Sequence, residues 1–236
     1  MAERQNPDKE QIFTRYHDKL REELNNAHWH FEIWKQLRNK LKPDYLDEFN
    51  QAPAFFGLTM HAHLLATIMR LNNICDKDTD TVNIQKLLNY TEQNSELFTD
   101  EAFEIRQRGK SNYEVAMAIR KKNPPDLNNR ILQQERDKFE HYSVNNLKVW
   151  RDKAIAHIDK EVILKDISVF KEYPVKISEI EQIINDINET LNTLLVAFNG
   201  VSWSKGLPVA HNVDIVFDAM RSDLQQRRAR IQRTDN

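Results

Sequence analysis

Cysteine occurs once in the chain, at Cys75. One thiol closes no internal disulfide and builds no cysteine-rich zinc site, so a disulfide scaffold and a zinc finger are excluded. Glycine occurs four times and proline seven times in 236 residues. Sandwiches and barrels need many turn residues, and doubly wound sheets need glycine-rich loops, so neither architecture fits. The same shortage of glycine leaves no P-loop and no dinucleotide fingerprint. No apolar run nears the roughly 20 residues of a membrane span, and Met1–Pro7 lacks the apolar centre of a signal peptide. The expectation is a soluble, cytoplasmic protein without a membrane partner. Charge of either sign is not in excess: the formal net charge is -2. Nucleic acid would therefore be held by a local patch and not by the field of the whole molecule.

What is present is helical periodicity. The chain is 40% hydrophobic and 30% charged, a polar but foldable balance. Ile12, Tyr16, Leu20, Leu24, Ala27, Phe31, Trp34 and Leu41 predict one helix from about Asp8 to Leu41, ended by Pro43-Asp44. A second helix is expected over Pro53–Cys75, with Leu58, Ala62, Leu65 and Met69 as its apolar stripe. Asp76–Asp80 is a polar break without the glycine and final glutamate of a calcium loop. Shorter helices are expected near Ile84–Leu88, Leu97–Arg108 and Tyr113–Lys121. Pro124-Pro125-Asp126 then starts a third long helix, to about Ala156, carrying Leu132, Phe139, Leu147, Trp150 and Ala154. Ile158–Val175 reads as irregular and in part extended. Ser178-Glu179-Ile180-Glu181 has the pattern of a capping box before a strongly apolar face from Ile180 to Phe198, with Gly200 as the stop. A last helix from about Val213, bearing Ile215, Val216, Ala219 and Leu224, runs into a basic tail. The fold class is all-α: an elongated helical bundle of four or more core helices with no substantial β-sheet. The organisation expected is one helical domain over 8–210, then a C-terminal helix and basic tail over 211–236.

The chemistry concentrates in Trp150-Arg151-Asp152-Lys153-Ala154-Ile155-Ala156-His157-Ile158-Asp159. Arginine offers a planar fork of donors for a phosphate, and lysine adds a mobile charge. Histidine exchanges a proton near neutral pH. Lys153 and His157 are four apart and share a helix face, whereas Arg151 and His157 lie about 120° apart on an ideal helix. Those two converge only where the helix ends or kinks, or where two copies meet. The plainer reading of the same residues is a solvated helix end, with Arg151 paired to a carboxylate and His157 favoured by the helix dipole.

Arg151-Asp152-Lys153-Ala154-Ile155-Ala156-His157 resembles the motif of the HEPN superfamily: an arginine, a polar residue, and a histidine after a gap of four to six. The longer run through Ile158-Asp159 resembles the AbiU-type abortive-infection branch. Phe55-Phe56, Leu64-Leu65-Ala66-Thr67-Ile68-Met69-Arg70-Leu71 and Asp76-Lys77-Asp78 are similar to that branch's second helix and loop. The resemblance spans roughly Leu20 to Asn199 and implies a HEPN-like bundle. It also implies a metal-independent endoribonuclease of a toxin or phage-defence type that needs no cofactor. Such an enzyme works as a homodimer, with RNA cleaved in a cleft made by two facing motifs. Carried over, His157 is the general acid/base, Arg151 holds the scissile phosphate, Asp152 orients one of them, and Lys153 adds a substrate contact. An antitoxin protein is a candidate further partner. The alternative is a catalytically inactive module of the same fold that binds RNA, a nucleotide or a protein.

Other residues are less specific. Arg70 and His63, two turns apart, could border a cleft and make Arg70 a second substrate contact, or could simply lie on a bundle surface. His28/His30 and His61/His63 cannot chelate an ion from one helix face, because residues two apart point about 200° away from each other. Only histidines from different helices could meet, so no metal site is expected. Arg221 to Arg233 holds five arginines against one aspartate, a run suited to RNA, to an acidic protein face, or to a frayed solvated tail.

Overall fold

Residues 8–78, 80–122, 127–155, 168–204 and 211–234 are described by a computed structural model of the chain. Among the described residues there is no strand, and the architecture is all-α. The helices are α1 (Lys9–Asn39), α2 (Leu46–Phe49), α3 (Pro53–Cys75), α4 (Ile84–Gln93), α5 (Asp100–Gln107), α6 (Tyr113–Lys122), α7 (Asn129–Asp137), α8 (Tyr142–Trp150), α9 (Val169–Glu172), α10 (Ile177–Asn199) and α11 (Asn212–Thr234). The described chain forms two compact units, one from residues within 1–25 and 69–205, the other from 26–68 and 206–236. Helices α1 and α3 contribute residues to both.

In the first unit the apolar face of α10 is the largest contributor. Ile180, Ile183, Ile184, Ile187, Leu191 and Leu194 are all buried, at the three- and four-residue spacing of one helix stripe. Phe13 of α1 lies against Phe198 at 4.5 Å and edge-on to Phe98 at 5.2 Å between ring centroids. Gly200 ends α10 with φ 75°, and its N–H donates to the Val196 carbonyl at 2.9 Å. Two arginines, the buried Arg120 and the partly buried Arg106, tie the last carbonyls of α10 to those of the 3-10 turn before α5. Arg120 donates to Asp100, Ala197 O and Phe98 O at 2.8, 2.8 and 2.7 Å. Arg106 donates to Phe198 O, Glu10 and Leu97 O.

In the second unit Phe49, Phe56 and Phe217 form an aromatic triangle with centroids 4.8–5.3 Å apart, closed by Leu37 and Val213. Arg221 donates to Glu48 at 2.6 Å and to the Asp44 carbonyl at 2.8 Å, and Arg228 pairs with Asp47. Two arginines of the basic run therefore meet acids of α2, and the run itself is helical as far as Thr234.

Several sequence expectations need correction. The long helix over Asp126–Ala156 is broken where it is described: α7 ends in a short 3-10 turn, His141 is extended, and α8 starts afresh. His141 takes the capping position, its Nδ1 bonded to the Ser143 hydroxyl at 3.0 Å, and Phe139 is buried just before the break. Helix α10 starts at Ile177, and Glu179 accepts from the Lys176 N–H at 2.7 Å, so the acid of the cap is Glu179 and not Glu181. The described part of Ile158–Val175 contains the helical turn α9 and no extended strand. The apolar stripe expected on α3 is not the face that it buries. Leu58 is 71% exposed, and α3 buries Phe56, Ile68, Leu71 and Ile74 instead. Ile215 is 64% exposed, and α11 buries Val213 and Phe217. Helix α3 is also long and apolar enough by length and composition to cross a membrane, alone among the described helices. It carries His61, His63, Arg70, Asn72 and Asn73 along that length.

Candidate functional site

Helix α8 is pinned along one side before it reaches Arg151. Val144, Leu147 and Trp150 are buried at three-residue spacing. The Leu147 carbonyl accepts from Asn72 of α3 at 3.0 Å. Trp150 donates its indole N–H to the Tyr173 carbonyl at 2.7 Å and packs edge-on against Phe170 at 4.9 Å. Asn146 donates to the Pro174 carbonyl at 2.9 Å. Trp150 thus anchors the helix, and the residues after it leave a fixed point.

The helix widens immediately afterwards. Arg151–Ile155 form a π-helical turn, a geometry that shifts side chains out of α-helical register and recurs at functional sites. A π-turn is one of the recognised places where a helix departs from a straight axis, and this one begins at Arg151. Its Nε donates to Asp152 Oδ1 at 2.7 Å and its Nη1 to Asp76 Oδ2 at 3.0 Å. Asp76 directly follows α3, and its other oxygen accepts the Lys77 N–H at 2.8 Å. The two partners are 17% and 19% exposed, so the pair is only partly screened by water. Burial pushes the Asp76 carboxyl up, but the Arg151 and Lys77 hydrogen bonds outweigh it and hold the group below its ordinary value. The Asp152 bond, opposed by burial and aided by Asp76, pushes the Arg151 guanidinium up, so it stays a cation at any working pH. Asn72, Asp76, Lys77, Lys148 and Arg151 line a cavity of about 80 Å³, room for a few water molecules. Cys75 closes its floor. Burial, with Asp186 and Asp76 adding their charges, pushes this thiol up to about 12, which makes it inert as a nucleophile.

Of the residues singled out from the sequence, Arg151 and Asp152 are bonded to each other, and Lys153 sits with its Nζ 5.9 Å from the Tyr173 ring centroid. His157 lies outside the described residues. Arg70 is in an ion pair with Glu23 at 2.7 Å, and Glu23 also takes Lys19 at 3.0 Å. His63 meets His30 with the two Nδ1 atoms 2.8 Å apart, so histidines from different helices do come together. Burial lowers the His63 pKa, in keeping with a neutral ring sharing one N–H. Among the described residues no three His, Cys, Asp or Glu side chains are grouped to hold a metal. The residue missed is Asp76. It lies 75 positions from Arg151, and the polar break around it reads as solvated loop. The signal for it in the sequence is its place after α3, in the Asp76-Lys77-Asp78 run that resembles the family's loop, where it carries no assigned role.

A family model described as AbiU2, of the HEPN class, matches residues 10–216. No curated protein and no solved structure matches the chain.

Proposed function

Because the chain belongs to the HEPN_AbiU2 family, we propose that it is a metal-independent endoribonuclease of a toxin or phage-defence type, acting in the cytoplasm as a homodimer. Arg151 carries this reading. It is a permanently charged fork, oriented by Asp76 and Asp152 where the helix widens after α8, in the segment that resembles the family's arginine–histidine motif. In the proposed reaction the ribose 2′-hydroxyl attacks the adjacent phosphorus and the 5′-oxygen leaves. His157 takes the hydroxyl proton or returns one to the leaving oxygen. Arg151 holds the phosphate oxygens as negative charge develops, and fixed donors of this kind are worth about 10²–10³ in rate. The products are a 2′,3′-cyclic phosphate and a free 5′-hydroxyl, so no metal-bound water is required. Asp152 sets the guanidinium plane. Lys153 contacts the RNA backbone, and Arg70 is a secondary contact once released from Glu23. An antitoxin protein is the further partner proposed.

One observation favours a second reading. Arg151 already has two carboxylate partners, as in a structural tie between the end of α3 and α8. In that case the protein is an inactive binding module of the same fold.

Wild type, Arg151→Ala and His157→Ala, each checked for mass, are incubated with total RNA and tRNA in EDTA. Cleavage by the wild type alone, leaving cyclic-phosphate ends, is expected, with His157→Ala slowed about 10²–10⁴-fold. No cleavage by a folded wild-type dimer, or equal cleavage by His157→Ala, would favour the binding module.

A further inference from the structure

A second cavity shares a wall with the Arg151 site. Lys77 lines both. This one encloses about 290 Å³, at the lower edge of the roughly 300–1,000 Å³ of small-molecule sites. Tyr16 of α1 and Tyr90 of α4 form its aromatic side, with ring centroids 5.8 Å apart and edge-on. The Tyr90 hydroxyl is fixed by donating to the Lys9 carbonyl at 3.1 Å. Lys86 places its Nζ 5.9 Å from the Tyr16 ring centroid. Beside Lys77 and Asp78 the rim carries amides: Asn89, whose Oδ1 accepts from Arg136 at 3.0 Å, and Gln93 stand on successive turns of α4. Helix α4 is held rigid by its opposite face, where Ile84, Leu87 and Leu88 are fully buried, and by its Asn83 cap, which accepts the Lys86 N–H at 2.8 Å.

These groups suit a nucleobase. Unpaired bases are bound by stacking on aromatic faces and by hydrogen bonds to their edges, and Asn and Gln offer a donor and an acceptor together. The charges suit one phosphate and not several. Lys77 is half exposed and pairs with Glu140 at 2.7 Å, a solvent-screened bond that a phosphate can replace at little cost. Asp78, on the same wall, repels a second phosphate. The cation-rich side is therefore the side shared with Arg151.

We propose that this cavity takes one unpaired nucleotide of single-stranded RNA, its base against Tyr16 and Tyr90 and its phosphate toward Lys77, beside the scissile position. The proposal deepens the ribonuclease reading and rests on it for the identity of the ligand, but binding can be measured apart from cleavage.

The test uses the full chain and a fluorescein-labelled, 2′-O-methylated single-stranded oligoribonucleotide of mixed sequence, which cannot be cleaved through its 2′-oxygen. Its duplex form and adenosine monophosphate are the comparators, and folding of each variant is checked by circular dichroism. Wild type is expected to prefer the single strand. Tyr16→Ala should weaken binding about five- to hundred-fold. Lys77→Ala should lower the slope of log affinity against log salt by about one, and Lys77→Arg should restore it. Binding of this oligomer by a wild type that cleaves neither total RNA nor tRNA would keep this site while removing the nuclease reading. Wild-type affinity in both folded Tyr16→Ala and Lys77→Ala would overturn the proposal. So would equal binding of the duplex, or saturation by the mononucleotide without binding of the oligomer.

Discussion

Arg151 can act on a substrate or tie two helices together, and its partners separate these roles. Arg151→Ala leaves Asp76 partly buried beside no guanidinium. The loss should be about 1–2 kcal/mol, below the 3–5 kcal/mol of a fully buried pair because water still reaches the site. Asp76→Asn keeps an oxygen for Arg151 and should cost about 1 kcal/mol. If Arg151 serves catalysis, Asp76→Asn keeps most cleavage while Arg151→Ala abolishes it, and urea melts beside RNA assays read both. His17 gives a pH prediction. Its ring is buried and its Nε2 donates to the Leu191 carbonyl at 3.1 Å. Burial, only partly offset by that bond, lowers its pKa below 6.5. The unfolded chain then binds the proton first, so stability is full above about pH 6.5 and falls as pH drops from there through the folded value. His17→Phe, packed against Phe13, should flatten that decline in urea midpoints taken from pH 7 down to about pH 5. At this scale the sequence made Arg151 and Asp152 legible, because adjacent chemistry is visible in a string. Asp76 was not, because only the fold carries it across 75 positions.

At the scale of elements, legibility followed stops and periodicity. Pro53 and Gly200 bound helices where their residue types suggest, and α3 ends at Cys75 before the polar run Asp76–Asp80. Gly200 is needed for two reasons: φ is 75°, and an added Cβ would lie 2.9 Å from Phe103 Cζ. Gly200→Ala should therefore destabilise by about 1–3 kcal/mol, seen as a lower thermal midpoint, with no effect expected at the distant Arg151 site. The failures have a physical cause as well. Helices α3 and α11 carry apolar residues on more than one face, so periodicity alone does not choose the buried one; Phe56 and Phe217 are chosen by their packing with Phe49. The interruption at His141 left no proline or glycine to announce it. A histidine side chain supplies the cap instead.

For the whole molecule, the two units each own a core, and nothing in the composition announces that division. Helices that belong to both pass as uninterrupted periodic runs, so the sequence reads as one domain. A division of this kind is best followed with a reporter that belongs to one unit, and the chain has one built in. Cys75 is the only thiol, is 8% exposed, and titrates at about 12. At pH 8 only about one such thiol in ten thousand is a thiolate, and in the folded chain a disulfide reagent can scarcely reach it. Labelling must therefore wait for the end of α3 to open, whereas the denatured chain should react completely within the mixing time. In the native protein the labelling rate is expected to level off as reagent rises, at the rate of that opening. Arg151→Ala, which releases the neighbouring Asp76, should raise this plateau, and an unchanged plateau would uncouple the two. The lone cysteine is thus a clock for the end of α3 beneath the candidate site, one tick for each local opening.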